Sequence, residues 1–325
     1  MQMSDKNKMN HDTLDMFLFT KQDEYPYMPE KIKDLTEIYH YTSPSGLLSI
    51  FGEKGKVTLW ASRYDCLNDM SEGTIAHAVY QKVCLELKEN QKISEEVFQL
   101  FSAIKPCNTS IIGSNDKGKI SSIEMECNRY ICSFSRNSDS LAMWNYYSKG
   151  DKYEGFSIGF CAFMMEENLT DKWRQMNAEV SIYPVVYDEQ KQKEMIEKYL
   201  LVLNEYYKEE NQKKIENSIS ARLREWGLIF KSEYFKHEQE VRIIVDIPLK
   251  DKSDDNSPVK YRMANGLIIP YIELKFEEKA VQSVCFGPLT CTPQQKMMQV
   301  QVMEEYLTAM GCHACVDYSK IPVRF

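Results

Sequence analysis

The chain has 325 residues, 43% of them apolar and 27% charged, and a net charge of −8. That size supports a sizeable core in one large domain or two small ones. The acidic balance excludes a general nucleic-acid coat, which needs a large basic excess, but not a local basic groove.

Residues 1–35 read as a flexible N-terminal arm. Its start, "MQMSDKNKMNHDTLD", has no apolar core and so does not read as a signal peptide. "TEIYHY" (36–41) is a strand, and "SPSGLLSIF" opens a short helix with Pro44 in its first turn. "KVTLWAS" (56–62) is a second strand, followed by the turn-rich "RYDCLNDMSEG". Ile75, Val79, Val83 and Leu87 then recur at helical spacing. Residues 105–122 are polar and rich in Gly, Ser and Asn, which predicts a surface loop.

"RYICSFS" (129–135), "GFSIGFC" (155–161) and "EVSIYPVVY" (179–187) are strands. Residues 189–226 are a helical insertion, with Met195, Tyr199, Leu203 and Tyr206 on one stripe. "QEVRIIVDI" (239–247), "GLIIPYIEL", "VQSVCFG" and "ACVDYS" are further strands. Before the last of them, Thr292 and Gln295 fit a capping box, Pro293 is at the first helical position, and Gly311 follows the helix end. No repeat and no composition shift divides the chain. The expectation is one mixed α+β domain over 36–325.

Four stretches carry candidate chemistry. In "YFKHEQEVRIIV" (234–245), strand alternation puts Val241, Ile243 and Val245 on a core face, and Glu238, Glu240 and Arg242 on the other. Two carboxylates beside an arginine are either a solvated cross-strand pair or a site. In "SLAMWNYY" (140–147), Met143, Trp144 and Tyr147 are either core packing or a stacking wall. In "LWASRYDCLNDMSEG" (59–73), Asn68, Asp69 and Ser71 fit turn and cap chemistry, and Arg63 and Glu72 either belong to that surface turn or reach a pocket. His40, followed by Tyr41 and Thr42, stands at a strand end, where a structural hydrogen bond competes with ligand binding.

Several classes lack support. There is no P-loop, H-E-x-x-H or G-x-G-x-x-G. No run approaches the roughly 18 apolar residues of a membrane span. "CHAC" (312–315) supplies one close cysteine pair where structural zinc needs four ligands, so no metal is expected. The ten cysteines read as reduced thiols of a cytoplasmic protein.

Taken in order, "YHYTSPSGLLSI", "LWASRYDCLNDMSEG", "ICSFSRNSDSLAMWNYYSKGDKYEGFSIGF", "EQEVRIIV", "CFGPLT" and "SKIPVRF" resemble a widespread bacterial family known only as a domain of unknown function. More distantly, the order of parts resembles ADP-ribosyltransferases. That likeness implies a split sheet and NAD as substrate. It implies that His40 holds the distal ribose, that Tyr147 or Trp144 stacks on nicotinamide, and that Glu240 or Glu238 is the catalytic carboxylate. Tyr41, Thr42, Ser62, Arg63 and Arg242 would complete the NAD pocket. The acceptor, protein or nucleic acid, is not named by the sequence. Such proteins often sit in bacterial defence or toxin contexts. The alternative is a binding module that senses a nucleotide or a partner with the same pocket and no catalysis.

Overall fold

Alternation of apolar and polar residues along the strands decides this architecture. The computed structural model describes residues 37–67, 73–107, 109–116, 119–148, 154–174, 176, 178–249, 257–264, 266–288 and 291–322. The expected arm lies outside these residues, as does Asn68–Glu72. The class is α+β, as expected. The chain divides into two compact units.

The unit built from Lys31–Met70, Asn128–Val185 and Glu233–Phe325 holds most of the strands. They are β1 (Ile38–Thr42), β2 (Lys56–Arg63), the second half of β4 (Lys119–Ser135), β5 (Phe156–Phe160), β6 (Glu179–Pro184), β7 (Glu240–Pro248), β8 (Lys260–Ala264), β9 (Leu267–Glu277), β10 (Val281–Phe286) and β11 (Cys315–Tyr318). Numbering leaves β3 for Thr109–Asp116. The sheet runs β11-β10-β5-β1-β4-β2-β9-β8, with β7 also on β4 and β6 on β7.

One face of these strands is apolar. Ile38, Leu59, Phe134, Ile158, Val241, Ile243, Leu274 and Val284 meet there in a single buried cluster. Leu47 and Ile50, Met165 and Leu169, and Met303 and Leu307 close it from the helices Pro44–Ile50, Ala162–Arg174 and Pro293–Ala309. Two of these helices start as the sequence predicts. Ser43 caps the first, accepting from the Gly46 amide at 3.2 Å. Thr292 and Gln295 form both bonds of a capping box on the last. Gly46 is also a steric requirement, since a Cβ there would lie 2.0 Å from Thr42 Oγ1.

The other unit holds Ser71–Cys127 and Val186–Ser232. Its helices are Thr74–Glu89, Glu95–Ala103, Glu189–Glu205 and Gln212–Ile229. The expected insertion is therefore not alone: it packs with the earlier helical pair. Tyr199 shows how. Its ring meets Trp226 edge-on at 5.6 Å, and its hydroxyl bonds Ser218 at 2.5 Å. The predicted loop at 105–122 is corrected. Thr109–Asp116 pairs antiparallel with the start of β4, from Thr109 opposite Glu126 to Asp116 opposite Lys119. The β-branched Thr109, Ile111, Ile112, Ile120 and Ile123 outweigh the loop-like composition there.

A buried ion pair joins β4 to β7. Arg129 grips Asp246 with Nε and Nη2 at 2.5 and 2.6 Å. Removing one partner of such a pair leaves a buried charge without its counter-ion, at a cost of about 3–5 kcal/mol. Asp246→Ala is expected to lower unfolding free energy by that order, which urea denaturation measures.

Candidate functional site

The sheet forks at β4. Three strands pair with its second half, and a strand has only two edges. Tyr39 of β1 lies opposite Ser135, and Ser62 and Arg63 of β2 lie opposite Ile131 and Tyr130. β7 runs the full length. The Arg136 amide donates to the Gln239 carbonyl at 2.9 Å at one end, and Arg129 holds Asp246 at the other. β1 and β2 therefore share the opposite edge, at different heights. Backbone groups alternate sides along a strand. With Arg136 facing β7, Ser133 and Ser135 face the fork.

His40 fills that fork. Its Nδ1 donates to the Ser133 carbonyl at 3.1 Å, so this bond assigns the tautomer and leaves Nε2 as the acceptor. The ring is half-buried. It lies on the face of Ile38, with Phe134 at 5.6 Å between centroids. Burial lowers its pKa below the ordinary value of 6.5, and the Ser133 carbonyl opposes that only in part. At neutral pH His40 is an uncharged imidazole.

Glu240 and Arg242 are where alternation puts them, opposite Val241 and Ile243, yet they are not solvated. They are 6% and 2% exposed. Arg242 forks onto the carboxylate, Nε to Oε1 at 2.8 Å and Nη2 to Oε2 at 2.9 Å. Glu238 is corrected. It closes a 3₁₀ turn, Glu233–Glu238, and Gln239 has a left-handed φ of 45° before β7 begins. That break takes Glu238 out of the strand, so it does not share a face with Glu240. Its carbonyl accepts from Ser135 Oγ at 2.7 Å. The strands of His40 and Glu240 both flank β4, but alternation sends the two side chains to opposite faces of the sheet.

The aromatic candidates separate. Trp144 is 1% exposed and meets Tyr41 edge-on at 4.7 Å. Its Nε1 donates to Asp139 Oδ1 at 2.8 Å, and the same carboxylate takes Ser319 Oγ at 2.6 Å and the Lys320 amide at 2.8 Å. Tyr41 donates to the Asn137 carbonyl at 2.7 Å, accepts from the Ser140 amide at 3.0 Å, and is buried. With Met143 these residues brace the helix Leu141–Tyr147 against β1 and offer no ring face to a ligand. Tyr147 is 45% exposed.

Thr42 sits against Gly46, and Arg63 donates to Asp65 Oδ1 at 2.7 Å, a bond that holds its guanidinium in the charged form. Ser62 accepts from Arg262 Nη2 at 3.0 Å. Trp60 and Arg262 escaped the sequence reading. The signal was present: in "KVTLWASR", Val57, Leu59 and Ala61 alternate into the core, which leaves a tryptophan pointing out. Glu72 lies outside the described residues. Among the described residues no cluster of His, Cys, Asp or Glu is arranged to hold a metal, and no helix is long and apolar enough to cross a membrane.

His40 makes stability pH-dependent. Its folded pKa is depressed, so between that value and about 6.5 the unfolded chain binds more protons. Its contribution is complete above about 6.5 and is lost as pH falls toward the folded value. His40→Asn puts an amide donor near Nδ1 but cannot titrate. The drop in melting temperature from neutral to acid pH is expected to be smaller in that variant than in the wild type.

No curated protein and no solved structure matches the chain. Residues 143–243, from Met143 beside Trp144 to Ile243 of β7, match the model of a family described as "Protein of unknown function (DUF2971)".

Proposed function

We propose that the chain binds NAD where β1 parts from β4 and cleaves the nicotinamide–ribose bond, passing ADP-ribose to a macromolecule or to water. The observation that carries this reading is Glu240, a buried carboxylate at the start of β7, across β4 from β1, with both oxygens bonded by one arginine. A guanidinium forked onto a carboxylate favours its charged form. A fixed negative charge stabilises the oxocarbenium-like state of glycosidic cleavage. The C–N electron pair leaves with neutral nicotinamide. The acceptor attacks the ribose carbon and loses its proton to a base, for which Glu238 is the nearest carboxylate in sequence. His40 supports the reading as a neutral ring whose Nε2 suits a ribose hydroxyl. Since His40 and Glu240 leave opposite faces, a ligand touching both passes through the gap that β1 opens. The free thiols fit a cytoplasmic setting, and the family resemblance suggests bacterial defence or toxin action.

One observation favours the second reading, a nucleotide- or partner-sensing module without turnover. Arg242 already engages both oxygens of Glu240, and such a pair anchors the start of β7 with no chemistry required.

Nicotinamide release from NAD, with and without cell lysate, separates the two. Glu240→Gln is expected to cut release about a hundredfold to a thousandfold. Because Glu240 is buried and paired, the amide also weakens the grip on Arg242, so the variant's melting temperature is expected to fall. The assay is therefore run below that temperature, with NAD binding measured in parallel. If Glu238→Gln is the more damaging change, the catalytic carboxylate is Glu238. If wild-type protein neither binds nor consumes NAD in either condition, the enzymatic reading fails.

A further inference from the structure

We infer that the face of β2, β9 and β8 around Trp60 is a binding site for a nucleotide unit, with its base on the indole and its phosphate on Arg262. Trp60 lies between Leu59 and Ala61, which both enter the core, so it points from the opposite face. It keeps 44% of its surface in water. Tyr271, from the neighbouring strand β9, braces the indole at 4.6 Å with the rings inclined by 35°. The indole is thus held in place rather than loose, and a fixed aromatic surface loses little freedom when a second ring stacks on it.

Arg262 supplies the charge. Its guanidinium carbon is 5.8 Å from the Trp60 ring centre, and Nη2 donates to Ser62. Its Nε is removed from solvent and has no acceptor. A buried donor without an acceptor is costly, and here it belongs to a group that binds phosphate oxygens readily. Lys260 lies on the same face, where its ammonium neutralises Glu273 at 2.7 Å. An aromatic surface alone would suit a sugar as well as a base. The arginine beside it selects a flat ring that carries an oxyanion, which is the chemistry of a nucleotide. Two sources offer it: a free mononucleotide and a single strand. The site does not rest on NAD cleavage, because Trp60 can be observed without turnover.

Tryptophan fluorescence tests the inference. The other tryptophans, Trp144, Trp173 and Trp226, are buried, so an added solute reaches Trp60 first. The full chain is titrated separately with AMP and with a short single-stranded oligonucleotide. Saturable quenching is expected with at least one of them, and its loss in Trp60→Phe, whose remaining emission reports an intact core. Arg262→Gln is expected to weaken the interaction by at least about tenfold and to reduce its salt dependence. Quenching by AMP alone identifies a mononucleotide site, and quenching by the oligonucleotide alone identifies a strand site. The site is overturned if neither probe quenches saturably while acrylamide still quenches Trp60, or if the quenching persists in Trp60→Phe. Nicotinamide release measured on Trp60→Phe keeps this outcome separate from that of the enzymatic reading.

Discussion

Strand β4 has two edges and three strands to hold, and the organisation of the candidate site follows from that constraint. β7 takes one edge along its length. β1 and β2 divide the other, touching it at Ser135 and at Tyr130–Ile131. Between those contacts the carbonyl of Ser133 faces a gap. An acceptor left unpaired in the interior costs on the order of 1–3 kcal/mol. His40 answers it with Nδ1. The histidine of "HYTS" is thus first a structural residue, and the residues after it are punctuation: Thr42 packs on Gly46, and Ser43 caps the helix that Pro44 opens. The same geometry gives the histidine its chemistry. Committing Nδ1 fixes the tautomer, and burial keeps the ring uncharged, so its other nitrogen is an acceptor.

The face away from the core carries its charges in pairs. Arg129 with Asp246 and Arg242 with Glu240 stand at the two ends of one strand pairing, each joined by two bonds. Burying an ion pair rarely gains stability over apolar packing of the same volume, because desolvation offsets most of the attraction. Stability alone therefore gives little reason to keep two of them. The pair at the far end from the fork has a sufficient role in fixing the register of β7 on β4. The other pair lies within β7 itself, Glu240 and Arg242 being two residues apart on one strand, so it holds no second strand in register.

Much of this was legible in the sequence, and the parts that were not share a cause. Alternation placed Val241, Ile243 and Val245 in the core, and Glu240 and Arg242 opposite them. The caps at Thr292 and Pro293 and the helical stripe through Val79, Val83 and Leu87 are local patterns, read within one or two turns. What stayed open or was read otherwise depends on partners far along the chain or on backbone conformation. Trp144 is fixed by Asp139, which Ser319 and Lys320 reach from the end of the chain. Glu238 leaves the strand because Gln239 adopts a left-handed backbone, which no β-propensity announces. β3 forms because a partner strand stands opposite a composition that otherwise reads as loop. Trp60 was legible, since Val57, Leu59 and Ala61 alternate into the core around it.

Faces, rather than distances, are what any account of function here has to satisfy. A family match to a domain of unknown function covers residues 143–243 and so takes in Trp144 and Glu240, but neither His40 nor Trp60. Glu240 shares its face with Trp60, since each alternates against core residues of a strand that flanks β4. His40 does not. The tryptophan is open to solvent on that face, whereas the carboxylate and its arginine are buried. The histidine lies on the core face, and β4 separates its strand from the strand that carries the carboxylate. A ligand that stacks on the tryptophan therefore leaves the histidine untouched, and these two residues tell the faces of the sheet apart.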